Sequence, residues 1–119
     1  MFEAKQFESI NGIDGMSERL MGEHYKLYEG YIKKANEITE KLKTVDLSTA
    51  NACQSDLRSL KIGYFFAVNA IKSHGLYFQN ISGKGGAPSG WLGQQIEKHF
   101  GSYENWLADM KATGIAARG

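Results

Sequence analysis

The stretch Asn69-Ala70-Ile71-Lys72-Ser73-His74-Gly75-Leu76-Tyr77-Phe78 decides how the rest of the sequence is interpreted. It places His74 within an apolar run at helical spacing, and an aromatic pair follows shortly after it. A second histidine, His24, occurs earlier in the chain and also lies among apolar and aromatic residues. The pattern suggests the hypothesis that the two imidazoles come from neighbouring helices, meet, and bind a metal ion.

Hydrophobic periodicity predicts two long helices, and each of them contains one of the two histidines. From Glu18 to about Lys43, apolar and aromatic side chains recur at three- and four-residue steps, and Ser17 is placed to cap the helix. That stripe consists of Leu20, His24, Leu27, Tyr28, Tyr31, Ala35, Ile38 and Leu42. A second helix is predicted over about 48–81, and its extra apolar residues indicate burial on more than one side. These extra residues are Ile62, Phe65, Phe66 and Val68.

The short break near residue 46 predicts that the two helices are antiparallel neighbours. Beyond them, Pro88 suits the start of a third, short helix, Gly101 ends it, and Ser102 caps a fourth. We therefore predict an all-α chain in three parts. An extended lead-in covers 1–15, a helical hairpin with both histidines covers 16–82, and a loop with two short helices covers 83–119.

Composition excludes several classes of function. The 119 residues are 42% hydrophobic and 23% charged, an ordinary globular balance, and a net charge of +1 gives no support for nucleic-acid binding. The single cysteine, Cys53, excludes an intrachain disulfide and a zinc site built from several thiolates. We expect no membrane segment, since no apolar run is long enough, no signal peptide, and a cytoplasmic location.

The spacing of the histidines leaves their contact open. His74 lies farther beyond the break near residue 46 than His24 lies before it. At about 1.5 Å of rise per residue, the two positions are mismatched by about 9 Å along the hairpin. A histidine on an apolar stripe is, moreover, more often a hydrogen-bonded core residue than a metal ligand. By similar reasoning, His99 is interpreted as complementing a helix C-terminus and Cys53 as a small buried residue.

The run from His74 to Met110 resembles the iron/manganese superoxide dismutases. In that family the second ligand histidine is followed by an aromatic pair, a Gly-Gly-x-Pro-x-Gly loop, and a short helix that ends Phe-Gly-Ser. Here these features are Tyr77-Phe78, Gly85-Gly86-Ala87-Pro88-Ser89-Gly90 and Phe100-Gly101-Ser102. The stretch from Glu23 to Ile32 looks like the first-ligand helix, so the resemblance spans about residues 10–119.

The resemblance implies the N-terminal part of the dismutase fold, without the C-terminal α/β domain. It implies His24 and His74 as two of the four protein ligands of iron or manganese, and Tyr31 as the gateway tyrosine above the metal. Gap-free alignment on Tyr31 puts Glu23 at the first ligand position. We prefer His24 because it shares one helical face with Tyr28 and Tyr31.

The implied activity is conversion of superoxide to dioxygen and hydrogen peroxide. The family's other two ligands lie within an Asp-x-Trp-Glu-His-Ala-Tyr motif that does not occur in this sequence. The resemblance therefore implies a partner, either a polypeptide with the complementary C-terminal half or further copies of this chain. The alternatives are a non-catalytic helical interaction module and a homo-oligomeric, histidine-based metal-binding protein derived from that fold.

Overall fold

The computed structural model describes residues 1–81 and 85–117. Residues 82–84, at the start of the loop predicted over 82–87, lie outside the described residues, and so does the predicted boundary between the second and third parts of the chain. Within them the regular elements are four α-helices and two short 3-10 helices, with no strand. The predicted all-α fold class is confirmed.

Helix α1, Glu18–Leu42, begins where the sequence predicts, because the Ser17 hydroxyl accepts a hydrogen bond from the backbone N–H of Leu20. Its buried face includes Tyr28, Ala35 and Ile38 of the predicted stripe but not its leucines. Leu20 and Leu27 are 57% and 59% exposed. The residues that α1 buries are Met21, Tyr28, Ile32, Ala35 and Ile38. The face is rotated because the chain preceding α1 packs on its Met21 side.

Helix α2, Asp56–Asn80, begins later than predicted, at Asp56 and not near residue 48. A 3-10 turn, Leu47–Thr49, precedes it, and residues 50–55 are not helical. The side-chain oxygen of Asn51 accepts hydrogen bonds from the backbone N–H groups of Cys53 and Gln54, so this backbone forms a turn instead of a helix. Ser55 then caps α2 by accepting from the N–H of Arg58. This turn also leaves Cys53 exposed, so the predicted burial of its thiol is wrong.

Helices α1 and α2 pack as an antiparallel hairpin. From α2 only Ala67 and Phe78 are buried in the described structure, whereas Phe65 and Phe66 are 64% and 65% exposed. The prediction that α2 is buried on more than one side is therefore wrong. The hairpin partner covers one side of α2, and the ring of Phe65 stays in solvent.

The N-terminal strap, residues 2–16, runs along the hairpin and contains the 3-10 helix Glu8–Ile10. Its Phe7 and Ile13 are buried in one cluster with residues of both helices. At its start, the backbone of Phe2 forms two hydrogen bonds with the side-chain amide of Asn36 on α1. The strap completes the core at the end of the hairpin that holds the histidines.

Helices α3, Gly90–Phe100, and α4, Tyr103–Ala116, pack against each other and belong to a second unit, Lys84–Gly119, whereas the hairpin belongs to the first, Met1–Gly83. Gly101 has a φ of 81°, a conformation that glycine adopts without strain, and this makes the sharp link between the two helices.

Across the described part of the chain, no helix combines the length and the apolar character that spanning a membrane would require.

Candidate metal centre

The two histidines lie side by side across the hairpin. His24 projects from α1 and His74 from α2, with ring centroids 4.9 Å apart and ring planes at 75°. The mismatch expected along the helices disappears because of the late start of α2. His24 precedes the end of α1 at Leu42 by the same number of positions as His74 follows the start of α2 at Asp56.

A backbone hydrogen bond fixes the orientation of the His74 ring. Its Nδ1 lies 2.7 Å from the carbonyl oxygen of Ala70, one helical turn earlier. A carbonyl only accepts, so Nδ1 carries the proton, and in the neutral ring Nε2 keeps its lone pair. Histidine ligands of metals commonly donate their second ring N–H in this way, which sets the tautomer.

The His24 ring is held by aromatic packing. Its centroid lies 5.0 Å from that of Tyr77 and 5.1 Å from that of Phe78, and Phe78 is fully buried. Burial lowers the pKa of His24 below its ordinary value, and the neighbouring charge of His74 lowers it further. The neutral form, which metal coordination requires, is therefore favoured.

Glu23, the other residue considered for the first ligand position, does not lie at this pair. Its carboxylate forms an exposed ion pair with Lys26, with an Nζ–Oε1 distance of 2.8 Å. The one-residue difference turns Glu23 about 100° around the helix from His24, away from α2. Among the described residues it is His24 that meets His74.

Tyr31 lies next to one histidine of the pair. Its ring centroid is 5.4 Å from that of His74 and 5.9 Å from that of Phe66. Tyr28, one turn earlier on α1, is almost completely buried and stacks on His74 at 6.4 Å. The sequence places Tyr28 on the helical face of His24 but predicts no role for it in the site.

Phe7 is a residue near the site that sequence reasoning missed. It lies in the strap, which was predicted as a lead-in without a role, yet its ring contacts both Phe78 and Tyr28. The aromatic residues Phe2 and Phe7, in a largely polar N-terminal stretch, are the sequence feature that could have predicted this packing. His99 lies elsewhere, exposed in the last turn of α3.

The donor set fits part of a metal site. With metal–nitrogen bonds of about 2.1 Å, two imidazoles on one ion have ring centres at most roughly 6.5 Å apart, so the observed 4.9 Å is short enough. The described residues contain no cluster of three or more His, Cys, Asp or Glu side chains that could hold an ion. Since catalytic metal sites generally use at least three protein ligands, this pair is an incomplete set.

Comparison with known proteins gives the pair its context. The chain is 38% identical over 108 residues to an iron superoxide dismutase of Cupriavidus metallidurans, covering 90% of this chain and 53% of the relative. Its sequence matches the N-terminal half of iron and manganese superoxide dismutases. An iron superoxide dismutase of Aquifex pyrophilus is 34% identical, with 98% of this chain and 57% of the relative covered.

The dismutases that resemble this chain are named for different metals. A Mn/Fe superoxide dismutase of Porphyromonas gingivalis is 33% identical over 99 residues, which cover 82% of this chain and 48% of that dismutase. The chain thus spans about half the length of the curated superoxide dismutases it matches. No protein-family model matches the chain.

Proposed function

We propose that this chain is the metal-binding N-terminal half of a superoxide dismutase, with His24 and His74 as two ligands of iron or manganese. The observation that supports this most strongly is the contact of the two imidazoles at 4.9 Å in a chain that matches dismutases along its length. The relatives are named as iron, manganese or Mn/Fe enzymes, so the proposal includes either metal.

In the proposed reaction, two superoxide anions and two protons give dioxygen and hydrogen peroxide. Iron or manganese, when bound, supplies the one-electron redox chemistry. The residues of this chain hold and orient the site. The Ala70 carbonyl keeps the proton of His74 on Nδ1, which leaves Nε2 for the ion. The Tyr31 hydroxyl, on the ring beside His74, is the proposed proton-donating group of this half.

Exposed apolar side chains beside the two histidines support the proposal that another polypeptide segment packs over them. That segment would belong either to the same chain or to another. On α1, Leu20, Leu27 and Tyr31 share the face of His24, and on α2, Phe66 and Tyr77 share the face of His74. All but Tyr31 are exposed in the described structure. We propose that a complementary C-terminal half covers this apolar face and supplies the remaining ligands.

The free thiol of Cys53 suits a reducing cytoplasm.

The direct test combines this chain with the C-terminal half of the Cupriavidus metallidurans dismutase. We expect metal uptake and superoxide consumption only in the mixture. Both should be lost with His24→Ala or His74→Ala and retained with His99→Ala, a matched change at an exposed histidine. Leu27→Glu should weaken assembly by placing a charge on the covered face. Assembled halves that bind no iron or manganese would overturn the proposal.

The incomplete ligand set also favours a second candidate function, a metal site shared between copies of this chain. Two copies of the chain would bring four imidazoles together, a complete set for a tetrahedral ion. Sedimentation of the isolated chain with and without Zn²⁺ distinguishes the cases. Dimers that need Zn²⁺ and disappear with His74→Ala would support a homo-oligomeric metal site. Dimers that form without metal would favour a non-catalytic helical interaction module.

A further inference from the structure

The N-terminal strap reaches the rings that surround the histidines. The Phe7 side chain is 9% exposed, and its centroid lies 5.8 Å from that of Tyr28 and 5.3 Å from that of Phe78. Tyr28 and Phe78 are more deeply buried still. Phe7 therefore fills the space between an aromatic residue of α1 and one of α2, and closes the core on that side.

The same two rings contact the imidazoles. Phe78 lies 5.1 Å from the His24 ring and 6.0 Å from the His74 ring, and Tyr28 stacks on His74. Phe7 is therefore one side chain removed from both histidines. Because protein interiors are close-packed, a change of shape at Phe7 shifts Phe78 and Tyr28, and these shift the imidazoles.

Hydrogen bonds hold the strap against the same residues. The Ser9 hydroxyl donates to the backbone carbonyl of Phe78, and the backbone N–H of Lys5 donates to the Tyr28 hydroxyl. The Tyr25 hydroxyl donates in turn to the carbonyl of Lys5. The strap thus holds Phe78 through its backbone and ring, and Tyr28 through its hydroxyl and ring.

We propose that the strap positions the imidazole pair, with Phe7 and Ser9 as its positioning residues. They act through Phe78 and Tyr28 and set the distance and angle between the His24 and His74 rings. Ligand sites need such supporting contacts, because small displacements of the ligands weaken metal binding. The consequence for iron or manganese rests on the proposed function, whereas the effect on ring geometry does not.

The test measures ring geometry in the metal-free, full-length chain by NMR. Phe7→Leu keeps an apolar side chain but removes both aromatic contacts. We expect the ring resonances of His24 and His74 to shift and the NOE between the two rings to weaken. Ile13→Val is the matched control, because Ile13 is buried to the same extent in the same cluster but has no ring to contact Tyr28 or Phe78. It should leave both imidazoles unchanged.

A second variant and a metal arm make the result decisive. Ser9→Ala removes the hydrogen bond to Phe78 without changing the core volume, and it is used alone if Phe7→Leu fails to fold. Mn²⁺ titration in the presence of the complementary half, followed by paramagnetic broadening of the imidazole signals, should show roughly tenfold weaker binding in either strap variant.

The outcomes separate this inference from the proposed function. Imidazole resonances and an inter-ring NOE that are unchanged in the folded strap variants would overturn the positioning role. Shifted imidazoles together with no Mn²⁺ broadening, even in the presence of the complementary half, would support positioning and overturn the metal proposal.

Discussion

Phe78 connects the hydrophobic core to the candidate metal centre. It is the one large side chain with no exposed surface among the described residues, and its ring contacts both Phe7 and His24. Its backbone carbonyl accepts the hydrogen bond from Ser9. A single residue therefore contributes to folding and to the placement of His24, so substitutions at Phe78 affect both.

Phe78→Ala should lower the free energy of unfolding by about 3–5 kcal/mol, because it removes a buried ring and leaves a cavity. Urea denaturation followed by circular dichroism measures the loss. Phe65→Ala is the matched control on the same helix. Phe65 is mostly exposed, so its loss should stay within about 0.5 kcal/mol. Equal losses for the two variants would contradict the described packing.

The hydrogen bond to Ala70 predicts the tautomer of His74. In the neutral ring the proton should reside on Nδ1, which donates to the Ala70 carbonyl. Long-range ¹H–¹⁵N correlation spectra of the metal-free chain at a pH where histidines are neutral identify the protonated nitrogen. Exposed His99 provides the reference spectrum of a ring outside the site. A proton on Nε2 of His74 would be incompatible with the hydrogen bond.

At the scale of elements, the start of α2 sets the register of the two histidines. The turn at Asn51 and the Ser55 cap place His74 level with His24 along the hairpin. A helix that began near residue 48 would leave fewer residues in the connection and alter how α1 and α2 pair. The residues that align the histidines are thus far from them in sequence.

Ser55→Ala should destabilise the chain by about 1 kcal/mol, because the hydroxyl satisfies a backbone N–H at the first turn of α2. Thermal unfolding provides the measurement. Ser73→Ala, an exposed position within the same helix, is the control and should be neutral or slightly stabilising, since alanine is the better helix former. The cap assignment would be wrong if both variants behaved alike.

Glu37 makes the stability of α1 depend on pH. Hydrogen bonds and ion pairs from Lys34 and Lys41 lower the pKa of Glu37 to about 2. Since the folded pKa lies below the unfolded one, the carboxylate stabilises the helix above about pH 4.5. That contribution disappears as the pH falls toward 2.

Glu37→Gln should therefore lower the melting temperature slightly at pH 7 and have no effect near pH 2. Differential scanning calorimetry at both values tests this. The effect is small at any pH because all three side chains are well exposed. Glu29→Gln, on the same helix but outside every ion pair of the described residues, should show no comparable pH-dependent difference. A melting-temperature difference that persists near pH 2 would contradict the assignment.

At the scale of the whole molecule, the candidate metal centre belongs to one unit. The aromatic and hydrogen-bond partners described for His24 and His74 all lie within residues 1–81. The division of the chain into Met1–Gly83 and Lys84–Gly119 therefore does not cut through the site. The helices α3 and α4 pack with each other.

A fragment of residues 1–83 should consequently keep the contact between the imidazoles. We expect its NMR spectrum to retain the NOE between the His24 and His74 rings and the ring-current shifts caused by Phe78. The full-length chain is the reference, measured under the same conditions. Loss of the inter-ring NOE in a fragment that remains helical would show that the second unit is needed to position the histidines.

Much of this structure follows from local sequence patterns. Ser17 and Ser102 mark helix starts because a hydroxyl satisfies free backbone N–H groups over a few residues. The burial of individual side chains could not be predicted in the same way. Leu27 and Phe65 are as apolar as buried neighbours, and only the position of the strap and of the opposite helix decides which face is covered.

The sequence by itself determined the all-α class, the start of α1, and two histidines on apolar helical stripes. It did so because helical periodicity and capping depend on residues a few positions apart. The tertiary structure decided that His24, and not Glu23, meets His74, since a one-residue step rotates a side chain by about 100°. It also decided that Phe7 supports the pair, because contacts between residues so distant along the chain form only when the core packs.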